Sequence, residues 1–154
     1  MATPRKLIAY RCIWEKASEE LISTGISGRW NLKGDQVVYA SESRSLASLE
    51  VLVHAEDSYL LSKYKFLEIT FPGNIVKHIG ISDTNFLRDT KECQNYGHEW
   101  YHNKSSAILK VPSVITPQEY NYVINIAHPD IKKVKVDKVE LFHRFDPRLK
   151  AGIE

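Results

Sequence analysis

Gly28-Arg29-Trp30-Asn31-Leu32-Lys33-Gly34-Asp35-Gln36-Val37-Val38-Tyr39, followed directly by Ala40-Ser41-Glu42-Ser43-Arg44-Ser45-Leu46-Ala47-Ser48-Leu49-Glu50, carries three local signals in one run. Arg29-Trp30-Asn31 and the β-branched run Val37-Val38-Tyr39 flank a turn at Lys33-Gly34-Asp35, and a glycine-bearing turn between two such runs predicts a hairpin. Ser41-Glu42-Ser43-Arg44-Ser45 then offers several N-caps for a helix over residues 46–56. Upstream, residues 7–10 read as a strand and 13–22 as a short helix stopped near Gly25 and Gly28. Downstream, 66–71 stops at Pro72-Gly73 and 75–79 reads as a further strand. Residues 83–103 suggest one or two helices broken near Gly97, and 107–111 a strand ending at Pro112. Residues 117–124 suit a short helix with Pro117 in its first turn, and 131–136 and 138–145 two closing strands. Helices and strands do not alternate as a doubly wound sheet requires, so the chain is expected to be α+β with a mainly antiparallel sheet.

Composition bounds the function without naming it. The 154 residues fit one domain over 1–154. Hydrophobic residues make up 43% and charged residues 26%, a mix that supports a folded core. Cys12 and Cys93 are too few for a disulfide framework or a cysteine-rich zinc site. The balance of 21 Lys+Arg against 19 Asp+Glu, formally +2, provides no general field for polyanions and argues against direct nucleic-acid binding. Residues 1–10 lack the apolar core of a secretory signal, and no stretch approaches a membrane span, so a soluble, cytoplasmic protein is expected.

Individual residues then compete with plain structural roles. At ~100° per residue, Leu46, Leu49, Leu52 and Val53 share one arc of the expected helix, with Glu50 at its edge. A carboxylate there either works in a site or merely reaches water. Arg29, in a glycine-flanked segment, can fork onto phosphate oxygens or serve as a structural arginine beside Trp30. Tyr39 can stack on a flat ring or fill the core with a wet hydroxyl. Around the later prolines, Ser113, Asn121, Asn125 and His128 suit hydrogen bonds to a ribose or amide, and equally suit capping, the role expected of Thr116. His98-Glu99-Trp100-Tyr101-His102 matches the H-E-x-x-H pattern of zinc hydrolases. That chemistry needs a continuous helix and a third ligand; Gly97 precedes the motif, and neither His128 nor Glu119 stands out as the third, so no metal site is expected. No Walker A loop, GxGxxG or GxSxG elbow is present.

Taken together, several segments resemble the RES domain, the toxin half of bacterial toxin–antitoxin pairs. They are Tyr10-Arg11, Ser27-Gly28-Arg29-Trp30-Asn31 with Gly34, Val38-Tyr39-Ala40-Ser41-Glu42-Ser43, and Leu46-Ala47-Ser48-Leu49-Glu50. Val111-Pro112-Ser113, Pro117-Gln118-Glu119-Tyr120-Asn121, Asn125, His128-Pro129-Asp130 and Phe145-Asp146-Pro147-Arg148-Leu149 follow in order, so the resemblance is collinear over almost the whole chain. Ile126-Ala127 departs from it, because the family commonly places proline after the asparagine.

The resemblance implies an ADP-ribosyltransferase-like fold: a split, mainly antiparallel β core with helices around an NAD-binding cleft. It implies depletion of NAD by cleavage of the nicotinamide–ribose bond, through hydrolysis or phosphorolysis, with NAD as substrate and no separate cofactor. Arg29, Tyr39, Glu50 and Ser113 would be the catalytic set, and Arg29, Tyr39, Ser113 and Asn125 the substrate contacts. Glu50 would steady the oxocarbenium-like ribose and could hold its 2′-hydroxyl, with Arg29 on the pyrophosphate or a ribose and able to keep Glu50 ionised. Tyr39 would stack on nicotinamide, and Ser113 would hydrogen-bond the ribose or the incoming nucleophile. The expected partner is a cognate antitoxin with a helix-turn-helix domain that alone touches DNA, in a complex compatible with a toxin homodimer. The competing readings are an ADP-ribosyltransferase modifying a protein and a zinc hydrolase using His98 and His102.

Overall fold

A computed structural model describes residues 2–54, 63–79, 84–142 and 145–149. Strand β1 (Lys6–Trp14) runs well past the expected residues 7–10, and the helix expected over 13–22 does not form. Ile13 and Trp14 pair instead with Lys65 and Tyr64, because all nine residues of β1 lie in register with β3 (Tyr64–Pro72). A continuous ladder outcompetes a ten-residue helix, which is marginal by itself. The chain then turns, with the Ala17 N–H donating to the Trp14 carbonyl at 2.9 Å.

Of the expected hairpin, only the second strand, β2 (Val37–Ser41), is regular. Arg29 and Trp30 instead form a tight turn closed by an isolated bridge between Gly28 and Asn31. Ser43 is the serine that caps α1 (Arg44–His54), accepting from the Leu46 N–H at 3.1 Å. Residues 55 and 56 of the expected helix lie outside the described residues. The strand expected over 75–79 is the short β4 (Val76–His78), entered from a 3-10 turn.

The helical stretch divides at Asp89 and not at Gly97. Asp89 separates α2 (Thr84–Arg88) from α3 (Thr90–Asn103), and its carboxylate caps α3 by accepting from the Glu92 N–H at 3.1 Å. After β5 (Ile108–Pro112), the helix expected over 117–124 is replaced by a turn and the strand β6 (Tyr120–Asn125). Tyr122, Val123 and Ile124 are buried, and β6 is paired on both sides, by β5 and β2, which suits an aromatic and β-branched run. Thr116 therefore has no helix to cap. The two expected closing strands are one, β7 (Lys135–Phe142), with a register shift opposite Glu68 and Ile69; residues 131–133 belong to a 3-10 helix capped by the His128 side chain.

The strands form one sheet in the order β4-β5-β6-β2-β1-β3-β7, antiparallel except for β4–β5, which establishes the α+β expectation. The sheet is split: β1 and β2 share only the pair Tyr10–Ser41, whereas β2 and β6 share five. Side chains bridge the gap, since Arg11 Nη1 donates to the Tyr39 carbonyl at 2.8 Å. One core cluster, including Ala9, Leu67, Ile69, Phe71, Ile108 and Ile124, spans both halves. A second, with Trp30, Cys93, Trp100, Leu109 and Val123, fixes α3 and the Arg29 turn to the β5–β6 side. Each large apolar side chain so buried contributes about 1.5–3 kcal/mol. Among the described residues no helix is long and apolar enough to cross a membrane.

Candidate active site

The split opens into a cleft of about 780 Å³, bounded by β1, β2, the Arg29 turn and α1. Helix α1 buries Leu46, Ala47 and Leu52, and this packing directs Glu50 into the cleft. Its Oε1 accepts from Asn121 Nδ2 at 2.7 Å and from the Ser113 hydroxyl at 3.1 Å. The Ser113 oxygen also accepts from the Ile115 and Thr116 N–H groups, at 3.1 and 3.3 Å, so its proton is committed to Glu50. Asn121 is oriented in turn by the buried Ser41, whose hydroxyl donates to Asn121 Oδ1 at 2.6 Å. The carboxylate thus sits at the end of a relay across β2 and β6, and no hydrogen bond among the described residues uses Oε2.

The opposite wall is organised by Tyr39. Its hydroxyl donates to Asn31 Oδ1 at 2.6 Å and accepts from the Trp30 N–H at 3.0 Å. Burial pushes the phenol pKa up, so the hydroxyl stays protonated and keeps donating. Asn31, fully buried, completes the turn by donating to the carbonyls of Ile26 and Leu32 at 3.0 and 3.1 Å. Two glycines permit this packing. A Cβ on Gly28 would lie 2.8 Å from both Asn31 Oδ1 and the Tyr39 hydroxyl, and one on Gly97 would collide with the Trp30 carbonyl. Gly97 is therefore the point where α3 touches the turn, and the helix passes through it unbroken.

Arg29 leaves this turn into the cleft, with Nη1 donating to the Leu87 carbonyl at 2.6 Å. Among the described residues Arg29 makes no ion pair with Glu50; neutral donors, Asn121 and Ser113, hold the carboxylate. Arg11 is a second guanidinium on the cleft wall, and it makes no ion pair among the described residues. Burial lowers its pKa from the usual arginine value.

The structure thus places Arg29, Tyr39 and Glu50 around one cleft. Ser113 is close but 0% exposed, so it reaches the cleft through Glu50 and not by touching a ligand directly. Asn125 does not join them. At 1% exposed, it bonds the Tyr101 carbonyl and the Ala127 N–H, which makes it a brace for the loop after β6. Arg11 is legible in the sequence only as part of the Tyr10-Arg11 stretch carrying the resemblance, and Asn121 only as one of several polar groups suited to a ribose, not as the partner of Glu50. His98 and His102 sit on the continuous α3, and the third potential ligand beside them is Asp35, not Glu119 or His128. None of these three lines the cleft.

The RES domain family model matches residues 9–145. The chain is 36% identical over 129 residues to the Prs ADP-ribosylating toxin of Sphingobium sp. (strain YBL2), covering 79% of this chain and 80% of that protein. It is 36% identical over 127 residues to Toxin Res of Yersinia enterocolitica, covering 80% and 84%. Its fold is similar to that in the M. tuberculosis MbcT–MbcA toxin–antitoxin complex, with a TM-score of 0.68 at 17% identity over 96% of this chain and 88% of that one.

Proposed function

This chain belongs to the RES domain family, and from that premise we propose that it is the toxin of a bacterial toxin–antitoxin system, acting on NAD by cleaving the nicotinamide–ribose bond. The observation that carries this reading is the fixed carboxylate of Glu50, facing a turn that presents Arg29 across a cleft large enough for a dinucleotide. Nicotinamide leaves as a neutral molecule from a cationic glycoside, so its departure needs no general acid. What it needs is stabilisation of the positive charge that develops on the ribose. The Glu50 carboxylate supplies the opposing negative charge, and because Asn121 and Ser113 orient it in advance, little reorganisation is required in the transition state.

Arg29 and Arg11 are the groups suited to the pyrophosphate, each with a planar fork able to take phosphate oxygens. The ring of Tyr39 offers a stacking surface for nicotinamide, while its hydroxyl is committed to the turn. Ser113 acts as a positioning residue for Glu50. Hydrolysis and phosphorolysis both use this arrangement, the acceptor being water or phosphate. We further propose a cognate antitoxin as partner, in keeping with the toxin–antitoxin complex whose fold the chain shares, and a cytoplasmic site of action, where NAD is found.

One relative is named an ADP-ribosylating toxin, which favours transfer to a protein acceptor as the second reading. NAD labelled in its adenylate half separates the outcomes. Free labelled ADP-ribose, or its 1″-phosphate when inorganic phosphate is supplied, supports cleavage; label retained on a protein band supports transfer.

A further inference from the structure

Three potential metal ligands meet on the far side of the Arg29 turn. His98 and His102 project from the same side of α3 one turn apart, with ring centroids 4.2 Å apart. His98 Nδ1 lies 2.9 and 3.1 Å from the two oxygens of Asp35, and His102 Nε2 lies 3.3 Å from Oδ1. We propose that Asp35, His98 and His102 bind a divalent transition metal of the zinc class, at a site separate from the cleft.

The spacing fits such an ion. Ligand atoms bonded to zinc at about 2.0–2.1 Å in a tetrahedron stand roughly 3.3 Å from one another, close to the separations already present here. All the candidate ligand atoms lie within 4.8 Å of each other. Two imidazoles and one carboxylate form a borderline donor set suited to zinc, cobalt or nickel, whereas calcium and magnesium prefer oxygen alone.

The three ligands also come from elements that packing holds in place. The Asp35 side chain is only 4% exposed, and the Leu32 N–H donates to its Oδ2 at 3.0 Å. The ion-pair partners described for this buried carboxylate are the same two histidines, with no lysine or arginine among them. A divalent ion would give this buried carboxylate a full counter-charge. The close approach of Gly97 to Trp30 sets α3 against the turn, and α3 is continuous through both histidines. The histidine side chains are 39% and 58% exposed, which leaves an entry path and room for water as a fourth ligand. A metal here ties α3 to the loop joining the Arg29 turn to β2. Its binding depends on none of the residues assigned to NAD.

The test uses the purified full chain, stripped with a chelator and titrated with zinc by calorimetry and with cobalt by visible absorption. The proposal expects one equivalent of either ion and a cobalt ligand-field band. His102→Ala, which alters a largely exposed side chain, is expected to bind zinc at least about tenfold more weakly, and Asp35→Asn to lose the cobalt band. Saturating zinc is expected to raise the melting temperature of the wild-type chain and not that of His98→Ala/His102→Ala. Zinc and cobalt titrations indistinguishable between the wild-type chain and that double variant would overturn it. Because the readout is metal binding, this result is independent of whether the chain consumes NAD.

Discussion

Asn121 Nδ2 donates to Glu50 Oε1 at 2.7 Å, joining a side chain on the central strand β6 to the one carboxylate that α1 sends into the cleft. With Ser41 fixing the far end of the amide and the buried Ser113 supplying a second donor, the orientation of Glu50 is set by side chains of the sheet and of the turn after β5. In the proposed function the buried Ser113 therefore acts through Glu50.

Asn121→Ala removes the stronger of the two donors to Glu50. Turnover of NAD is expected to fall by roughly 10- to 100-fold in kcat with KM little changed, because the lost interaction orients the catalytic group and not the substrate. Steady-state kinetics check this. A purely structural role for Asn121 would instead lower the melting temperature and leave kcat per folded molecule intact.

Tyr39→Phe keeps the ring and removes the hydroxyl that serves both Asn31 and Trp30. Leaving a buried amide oxygen and a backbone N–H unsatisfied costs about 1–3 kcal/mol. The denaturant midpoint should drop accordingly. NAD affinity, which the proposed function assigns to the ring and the arginines, should change less than after Tyr39→Ala.

Gly97→Ala tests the contact between α3 and the Arg29 turn. In an ordinary helix this change is stabilising, since alanine forms helix better than glycine. Here the new Cβ meets the Trp30 carbonyl, so about 1–3 kcal/mol of destabilisation is expected, read from urea unfolding. A gain in stability would show that the helix and turn are not in contact.

Cys12 lines the cleft, but burial pushes its thiol pKa up to about 12. The folded value lies above the ~8.5 of an unfolded cysteine, so this group's contribution to stability is complete below ~8.5 and is lost as pH rises toward 12. At pH 8 the native thiol should be alkylated at least roughly tenfold more slowly than free cysteine, as mass spectrometry over a time course will show. In denaturant both Cys12 and the buried Cys93 should react freely.

The legible parts of this protein were those whose local pattern and tertiary role agree. Leu46 and Leu52 announce α1 and are buried, although Leu49 and Val53 of the same expected arc are exposed, and Val37-Val38-Tyr39 announces β2. Tyr120-Asn121-Tyr122 after Pro117 was misread as helix, since five or six residues of mixed character fit either period until β2 and β5 pair with them. A helical reading conceals the contact of Asn121 with Glu50, because only a strand register sets it opposite Ser41 and within reach of that carboxylate. Gly97 looked like a breaker because a sequence does not show the backbone it approaches. Asp35 was invisible beside the two histidines for a related reason: more than sixty residues separate partners that only the fold brings together.

The central claim is that the carboxylate of Glu50 performs the cleavage of NAD. The most direct measurement is NAD consumption by purified Glu50→Gln, an amide nearly identical in shape, beside wild-type protein, with matching circular dichroism for the two chains. Loss of the charge is predicted to slow turnover by roughly a hundredfold or more with the fold intact. A Glu50→Gln protein that consumes NAD at near the wild-type rate would contradict the account.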